Sequence, residues 1–334
     1  MISDKKRLAV VLMNLGGPDT LPAVKPFLYN LFSDPAIIRL PWFLRIVIAK
    51  MISVFRAPKA QKIYEKLGGG SPLLKNTQDQ KDSLEGLLCK QLPDYKVEVF
   101  IAMRYWHPLT TQTVAQVKEF FPNEVVLLPL YPQFSTTTTA SSVTEWRRQA
   151  QRQGLKSPTY LVESYPDAPT FISAHVKFLE PWIKKAKQFG SPRILFSAHG
   201  LPQKIVDAGD PYVKQVQKTT EAILNKLPSR PDNALCYQSK VGPLKWLKPS
   251  LEEEIRRAGK DGVPVIVVPI TFVSEHSETL VELDQDYKAL SQTLNIPFYG
   301  RVPALGNHSL YIQTLAELVM QKINNNKKEE KRNV

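Results

Sequence analysis

The chain predicts an α/β protein made of two similar halves, and three observations carry that prediction. Eight short runs of apolar and β-branched residues recur along it. They are near-continuous rather than alternating, as parallel strands covered on both faces by helices require. Stretches with helical spacing separate most of them. A faint echo links the halves: Val10–Pro18 (VVLMNLGGP) resembles Ile194–Pro202 (ILFSAHGLP), each a strand running into a Gly-x-Pro turn, and Val125–Pro129 resembles Val265–Pro269. At 334 residues the length suits about two domains.

Taken in order, Met1–Arg7 leads straight into the first strand, Leu8–Met13, with no signal-peptide pattern. Next comes the most unusual stretch. From Pro35 to Tyr64 there are six cations (Arg39, Arg45, Lys50, Arg56, Lys59, Lys62) and no acid, set among Trp42, Phe43, Leu44, Ile46, Val47, Met51, Val54 and Phe55. This is the composition of a helix lying in a membrane interface. It also suits an ordinary buried helix with a solvated face, or a hydrophobic lip around an apolar ligand. Cations scattered among large hydrophobes do not make the polar basic patch of a nucleic-acid binder.

Gly68–Pro72 (GGGSP) is a flexible turn that lacks the ending of a phosphate-binding loop and the spacing of a dinucleotide site, and Gly16-Gly17-Pro18 fails both as well. Strands follow at Val97–Met103, Val125–Leu130 and Tyr160–Val162. Ser135–Thr139 between them could cap a helix or bind a carboxylate. The second half reads as helix Thr170–Lys187, strand Arg193–Phe196, helix Tyr212–Leu227 and strand Ala234–Tyr237. Helix Leu247–Ala258, strand Val263–Phe272, helix Glu278–Leu294, strand Phe298–Val302 and helix Leu310–Ile323 complete it. The tail Asn324–Val334 has no apolar periodicity and reads as disordered.

Two places could carry chemistry. His199 follows a strand at its carboxyl end, where α/β sheets bind ligands, so it suits a general base or a metal ligand; a His satisfied by backbone groups at a turn is the alternative. Between Lys260 and Lys288 there is no cation, yet Asp261, Glu275, Glu278, Glu282, Asp284 and Asp286 occur. Glu278, Glu282 and Asp286 fall at i, i+4 and i+8 on one helix face, an unfavourable row unless something cationic compensates. Carboxylates with the neighbouring His276 suit magnesium, manganese or ferrous iron. Favourable charge at a helix N-terminus covers only Glu275 and Glu278. Lys plus Arg number 44 against 31 acids, a formal charge of +13, which invites an anionic partner. Two cysteines, Cys89 and Cys236, cannot form a disulfide framework or a metal cluster by themselves and suit a reducing compartment. No stretch approaches about 18 uncharged apolar residues.

With these residues in place the chain resembles the ferrochelatases, which insert ferrous iron into a porphyrin late in haem synthesis. Seven motifs occur in order: NLGGP (14–18), GGGSP (68–72), RYWHP (104–108), PLYPQFS (129–135), FSAHGLP (196–202), YQSKVGPLKWL (237–247) and FVSEHSETLVELD (272–284). The resemblance implies a chelatase-like fold of two similar Rossmann-like domains, parallel sheets flanked by helices. The first would span 5–160 with a lip at about 35–64 and be completed by helix 308–323; the second would span 161–304, and 324–334 would be the tail. It implies that His199 and Glu278 are the metal-binding and pyrrole-deprotonating pair, facing each other across the porphyrin cleft, with His276, Glu282 and Asp286 as a relay. Leu15, Arg56, Tyr64, Ser71, Arg104, Tyr105 and Trp246 match positions near the porphyrin or its propionates. No cofactor beyond the substrate Fe(2+) is implied, since the iron–sulfur extension of animal-type members is missing from this chain. Leu15 stands where the coproporphyrin-using branch has Tyr, which points to protoporphyrin IX; coproporphyrin III, or a non-catalytic porphyrin or haem carrier, is the alternative. A cytoplasmic protein touching an anionic membrane through residues 35–64, monomer or homodimer, is the expected setting.

Overall fold

The structure, a computed structural model, describes residues 5–240 and 242–332. It divides into two compact units: the first runs to Tyr165 and resumes at Tyr311, and the second is Pro166–Leu310.

The first unit holds β1 (Lys6–Asn14), α1 (Val24–Phe32), α2 (Trp42–Glu65), α3 (Leu73–Gln91), β2 (Tyr95–Met103), α4 (Thr110–Glu119), β3 (Glu124–Pro129), α5 (Thr139–Gln153) and β4 (Thr159–Leu161). Its sheet has the order β2-β1-β3-β4, every pair parallel, with Val10 level with Val99 and Val126. Leu8–Leu12 have no exposed surface, which is why β1 reads as an unbroken apolar run. Ala9, Val11 and Met13 pack with Leu127 and Trp146 in one core cluster.

The second unit holds α6 (Pro169–Ala186), a 3₁₀ turn (Lys187–Phe189), β5 (Arg193–His199), α7 (Gln203–Asp207), α8 (Tyr212–Lys226) and β6 (Asn233–Gln238). After these come α9 (Leu251–Asp261), β7 (Val265–Pro269), a π-helix (Glu278–Asp286), α10 (Tyr287–Thr293) and β8 (Tyr299–Arg301). Its sheet order, β6-β5-β7-β8, reproduces that of the first unit strand for strand. The echo between Val10–Pro18 and Ile194–Pro202 therefore falls on the second-position strand of each sheet. The two connections that follow differ in length: residues 15–94 lie between β1 and β2, residues 200–232 between β5 and β6.

Several boundaries depart from the sequence reading. The run Val263–Phe272 is a strand only as far as Pro269, the last residue to pair with β5. The helix expected from Leu247 starts at Leu251, because Ser250 accepts the Glu253 N–H at 3.2 Å and the Glu253 carboxylate accepts the Ser250 N–H at 2.7 Å. This reciprocal cap fixes the first turn. The helix α11 (Ser309–Arg332) continues through most of the segment expected to be disordered. Its Lys, Glu and Arg are good helix formers and no Gly or Pro interrupts them. Its first turns belong with the first unit, where the Tyr311 hydroxyl meets that of Tyr165 at 2.9 Å, and Tyr165 donates to the Pro129 carbonyl.

Candidate active site

Of the twelve residues singled out from the sequence, six lie in each unit. In the second, β5 delivers His199 to the carboxyl edge of its sheet. The His199 Nδ1 is 2.6 Å from the Gly200 carbonyl, which can only accept. That nitrogen therefore carries a proton, and Nε2 is the one left to face a ligand. His199 Nε2 lies 3.5 Å from Glu278 Oε2. Both side chains remain partly open, 37% and 34% exposed. The backbone N–H of His199 donates to Thr271, and Tyr212 donates to the His199 carbonyl.

Glu278 opens the π-helix. The expected α-helical face is thus built differently: a π turn closes i to i+5, so positions four apart fall short of one full turn instead of just past it. Glu278, Glu282 and Asp286 still follow one another along the element, and they go from half-buried to exposed. Ser239 joins the first two, its hydroxyl lying 2.9 Å from Glu278 Oε2 and 2.7 Å from Glu282 Oε2. The Ser239 N–H and Gln238 Nε2 also donate to Glu282, at 3.0 and 3.2 Å. Ser239 takes a left-handed backbone (φ 65°), unusual for a residue with a side chain. It lies within the motif YQSKVGPLKWL, where a polar residue directly after β6 is the one signal the sequence offers for it.

The charges are tuned against each other. Burial acts to lower the His199 pKa, but the charge of Glu278 and its hydrogen bond outweigh that and raise it to about 9. Burial acts to raise Glu278, yet the facing imidazolium and the Ser239 hydroxyl bring it down to about 2. Glu282 is raised, by burial and then by the neighbouring charge of Glu278. Two carboxylates pushed apart in acidity beside a basic imidazole are suited to moving protons. The His276 Nδ1 accepts the Glu278 N–H at 3.0 Å, its ring packs edge-on to Phe272, and burial lowers its pKa. Asp286 lies at the exposed end. Trp246 packs over Gly200, where an added Cβ would come within 3.2 Å of its ring. Among the described residues no group of three or more His, Cys, Asp or Glu is arranged to enclose a metal ion. The His199–Glu278 pair offers two donors, fewer than the four of a closed structural metal site.

In the first unit, Arg104 and Tyr105 converge on Asp34, which is 4% exposed. Arg104 Nη2 lies 2.6 Å from Asp34 Oδ2, and the Tyr105 hydroxyl donates to the same oxygen at 2.8 Å, as does Ser141. Tyr105 has no exposed surface. Its hydroxyl holds Asp34, which pairs with Arg104, and the Arg104 guanidinium lies 5.0 Å from the Tyr105 ring centre. Ser71 belongs to a mated pair of loops. A Cβ on Gly17 would fall 2.5 Å from Ser71 Oγ, one on Gly70 would strike the Asp19 carbonyl, and the Ser71 N–H donates to the Pro18 carbonyl at 2.7 Å. Close approach explains Gly16, Gly17 and Gly70, while Gly68 and Gly69 take positive φ (85° and 104°) with open space around them. Leu15 is half-buried beside the cluster of Val24, Phe27, Leu28 and Tyr105, and Tyr64 is a buried member of it.

The basic apolar segment is α2, and it is packed inside out. Ala49, Ser53 and Ala57, four apart, turn inward, while Trp42, Phe43, Val47, Met51 and Phe55 are 54–76% exposed. Full burial of one such side chain is worth about 1.5–3 kcal/mol. Arg56 is exposed with its guanidinium 5.5 Å from the Phe32 ring centre. Arg45 instead is spent inside the fold, on the Ser33 and Leu40 carbonyls. No helix among the described residues is long and apolar enough to cross a membrane.

Comparison with known proteins identifies the group. The ferrochelatase family model matches residues 7–323. The chain is 51% identical over 311 residues to a ferrochelatase of Wolbachia sp. subsp. Drosophila simulans (strain wRi), covering 93% of this chain and 98% of that one. It is 52% identical over 314 residues to a ferrochelatase of Phenylobacterium zucineum (strain HLK1), covering 94% and 91%. Among solved structures, SirB from Bacillus subtilis with Fe3+ has a TM-score of 0.59 at 14% identity, covering 97% of this chain and 98% of that one, a likeness of fold.

Proposed function

The chain belongs to the ferrochelatase family, enzymes that insert iron into porphyrin, and on that premise we propose how its residues share the work: His199 and Glu278 are the reactive pair. The observation that carries this reading is the His199 Nε2–Glu278 Oε2 approach of 3.5 Å, with the imidazole tautomer set by Gly200. Ferrous iron is the substrate, and the ring must lose two pyrrole protons as the metal enters. A cation engaging Glu278 removes the charge that keeps His199 protonated. The freed Nε2 then serves as the general base toward a pyrrole N–H. Glu282 and Asp286, running outward from Glu278, bring the ion in and carry protons away, and His276 holds the Glu278 backbone.

The porphyrin is assigned to Leu15, Arg56, Tyr64, Ser71 and Trp246, with Arg104 supported from behind by Tyr105. Apolar surface receives the macrocycle, and the exposed Arg56, in a stretch from Pro35 to Tyr64 that holds no acid, pairs with a propionate. Leu15 favours protoporphyrin IX. The exposed face of α2, with its excess of cations, docks the protein peripherally on an anionic membrane from the cytoplasmic side. No iron–sulfur cluster is part of this reading, which leaves Cys236 buried against the Phe196 carbonyl.

An anaerobic assay with ferrous iron, run with protoporphyrin IX and coproporphyrin III side by side, tests the substrate. Faster metallation of protoporphyrin IX is expected; preference for coproporphyrin III would overturn that assignment while leaving the reactive pair standing.

A further inference from the structure

Arg301 ends β8 in the second unit, its side chain only 9% exposed. Its guanidinium spans two carboxylates. Nη1 donates to Glu275 Oε1 at 2.5 Å, Nε donates to Asp284 Oδ1 at 2.9 Å, and Nη2 reaches the other oxygen of Asp284. Glu275 Oε1 also accepts the Ala304 N–H at 2.9 Å. These two acids bracket the reactive segment: Glu275 immediately precedes His276 and Glu278, and Asp284 follows Glu282 on the π-helix. A nine-residue π-helix is a rare local geometry. Glu275 lies three residues before it and Asp284 in its last turn, and a planar fork grips both at once in a way a point charge cannot. The chemistry assigned to His199 and Glu278 makes no other use of Arg301, Glu275 or Asp284.

We propose that Arg301 is a positioning residue: by tying Glu275 and Asp284 to β8 it sets where Glu278 points relative to His199. The inference rests on the assignment of that pair as reactive. It also sorts the acids between Lys260 and Lys288. Asp261 pairs with Arg193, and Glu275 and Asp284 pair with Arg301, whereas Glu278 and Glu282 meet His199, Ser239 and Gln238. The chain thus compensates its scaffold acids with arginine and leaves the charge of the site to the substrate ion.

The test is Arg301→Lys in the full chain, assayed anaerobically with ferrous iron and porphyrin beside a thermal melt. The expected result is a fall in kcat of about 10- to 100-fold, the scale of a reacting group displaced by about 1 Å. KM for porphyrin and the melting temperature should stay near those of the parent. Turnover within two-fold of the parent overturns the proposal, and so does a loss that follows the melting temperature and returns on cooling. Should Arg301→Lys fail to fold, Asp284→Asn opens one arm of the fork, and the same split between kcat and KM is expected at smaller size; its absence would overturn the proposal as well. Glu278→Gln is run alongside: full activity there sinks the pair assignment itself, a failure distinct from normal turnover in Arg301→Lys alone.

Discussion

The two units share one strand order and use it for opposite purposes. In each, the second-position strand pairs with a strand on either side and ends in a turn that carries a proposed site residue. At the tip of β1 the residues are Asn14 and Leu15; at the equivalent tip of β5 they are Ala198 and His199. Asn14 is buried and bonded to Thr77, a structural role, and Leu15 offers an apolar side chain. His199 is half-open and opposed by a carboxylate. His175, His276 and His308 also lie in the second unit, leaving only His107 to the first. The first unit spends its extra length, within residues 15–94, on α1, α2 and α3. The scaffold is therefore repeated and the chemistry is not: equivalent positions in one topology carry unlike roles according to the side chain placed there.

The sharpest way to break this contrast is to exchange weight between the two tips. His199→Ala should lower chelation about 10³-fold, within the range for loss of a general base, with circular dichroism and melting unchanged. Leu15→Ala should raise the KM for porphyrin several-fold and leave kcat nearly intact. Near-normal turnover in His199→Ala would erase the difference between the units. A second probe asks whether Glu278 governs the imidazole. In Glu278→Gln the His199 pKa should drop from about 9 toward the ordinary histidine value, because burial is then opposed only by the Gly200 carbonyl and the charge of Glu282. An NMR titration of the ring protons checks this; an unmoved titration would mean another group holds the proton.

The lip of the first unit gives a middling effect. Trp42→Glu combined with Phe55→Glu should cut co-sedimentation with phosphatidylserine-containing vesicles about ten-fold, since each substitution removes a buried anchor and adds repulsion. Chelation of detergent-dispersed porphyrin should change little. Vesicle binding that persists would assign the exposed face another occupant.

The smallest effect concerns acid stability. His175 is buried in α6 with its ring edge-on to Phe171, and burial lowers its pKa to about 3. Its folded value is depressed, so between about 6.5 and 3 the unfolded chain binds the extra proton. Stability therefore falls as pH drops through that window, by about 1 kcal/mol at pH 5.5. Melts across this range should show His175→Gln losing less than the parent. An identical slope would remove the histidine from the account of acid sensitivity.

Most of the scaffold was legible before any coordinates. All eight strands lie where the apolar runs put them, because a strand buried on both faces is written as contiguous Val, Ile and Leu. That His199 and Glu278 face each other was expected from motif order, and their side chains do meet at 3.5 Å. The π-helix was not, since a hydrophobic period cannot separate i+4 from i+5 closure across nine residues. Nor was Ser239, whose importance depends on a left-handed turn that carries its hydroxyl to two glutamates distant in sequence. Nor was the link of Tyr105 and Arg104 through the buried Asp34, which lies 70 residues earlier in the chain than Arg104.

Composition and periodicity alone determined the strands and the repeated order of elements, because each is a property of neighbouring residues along the chain. What the tertiary structure decided was pairing across the fold: which acids arginine neutralises, which nitrogen of His199 stays available, which loops mate through their glycines, and that α2 turns its small residues inward. Those outcomes depend on distances between segments far apart in sequence, and electrostatic and packing energies are fixed only when those distances are.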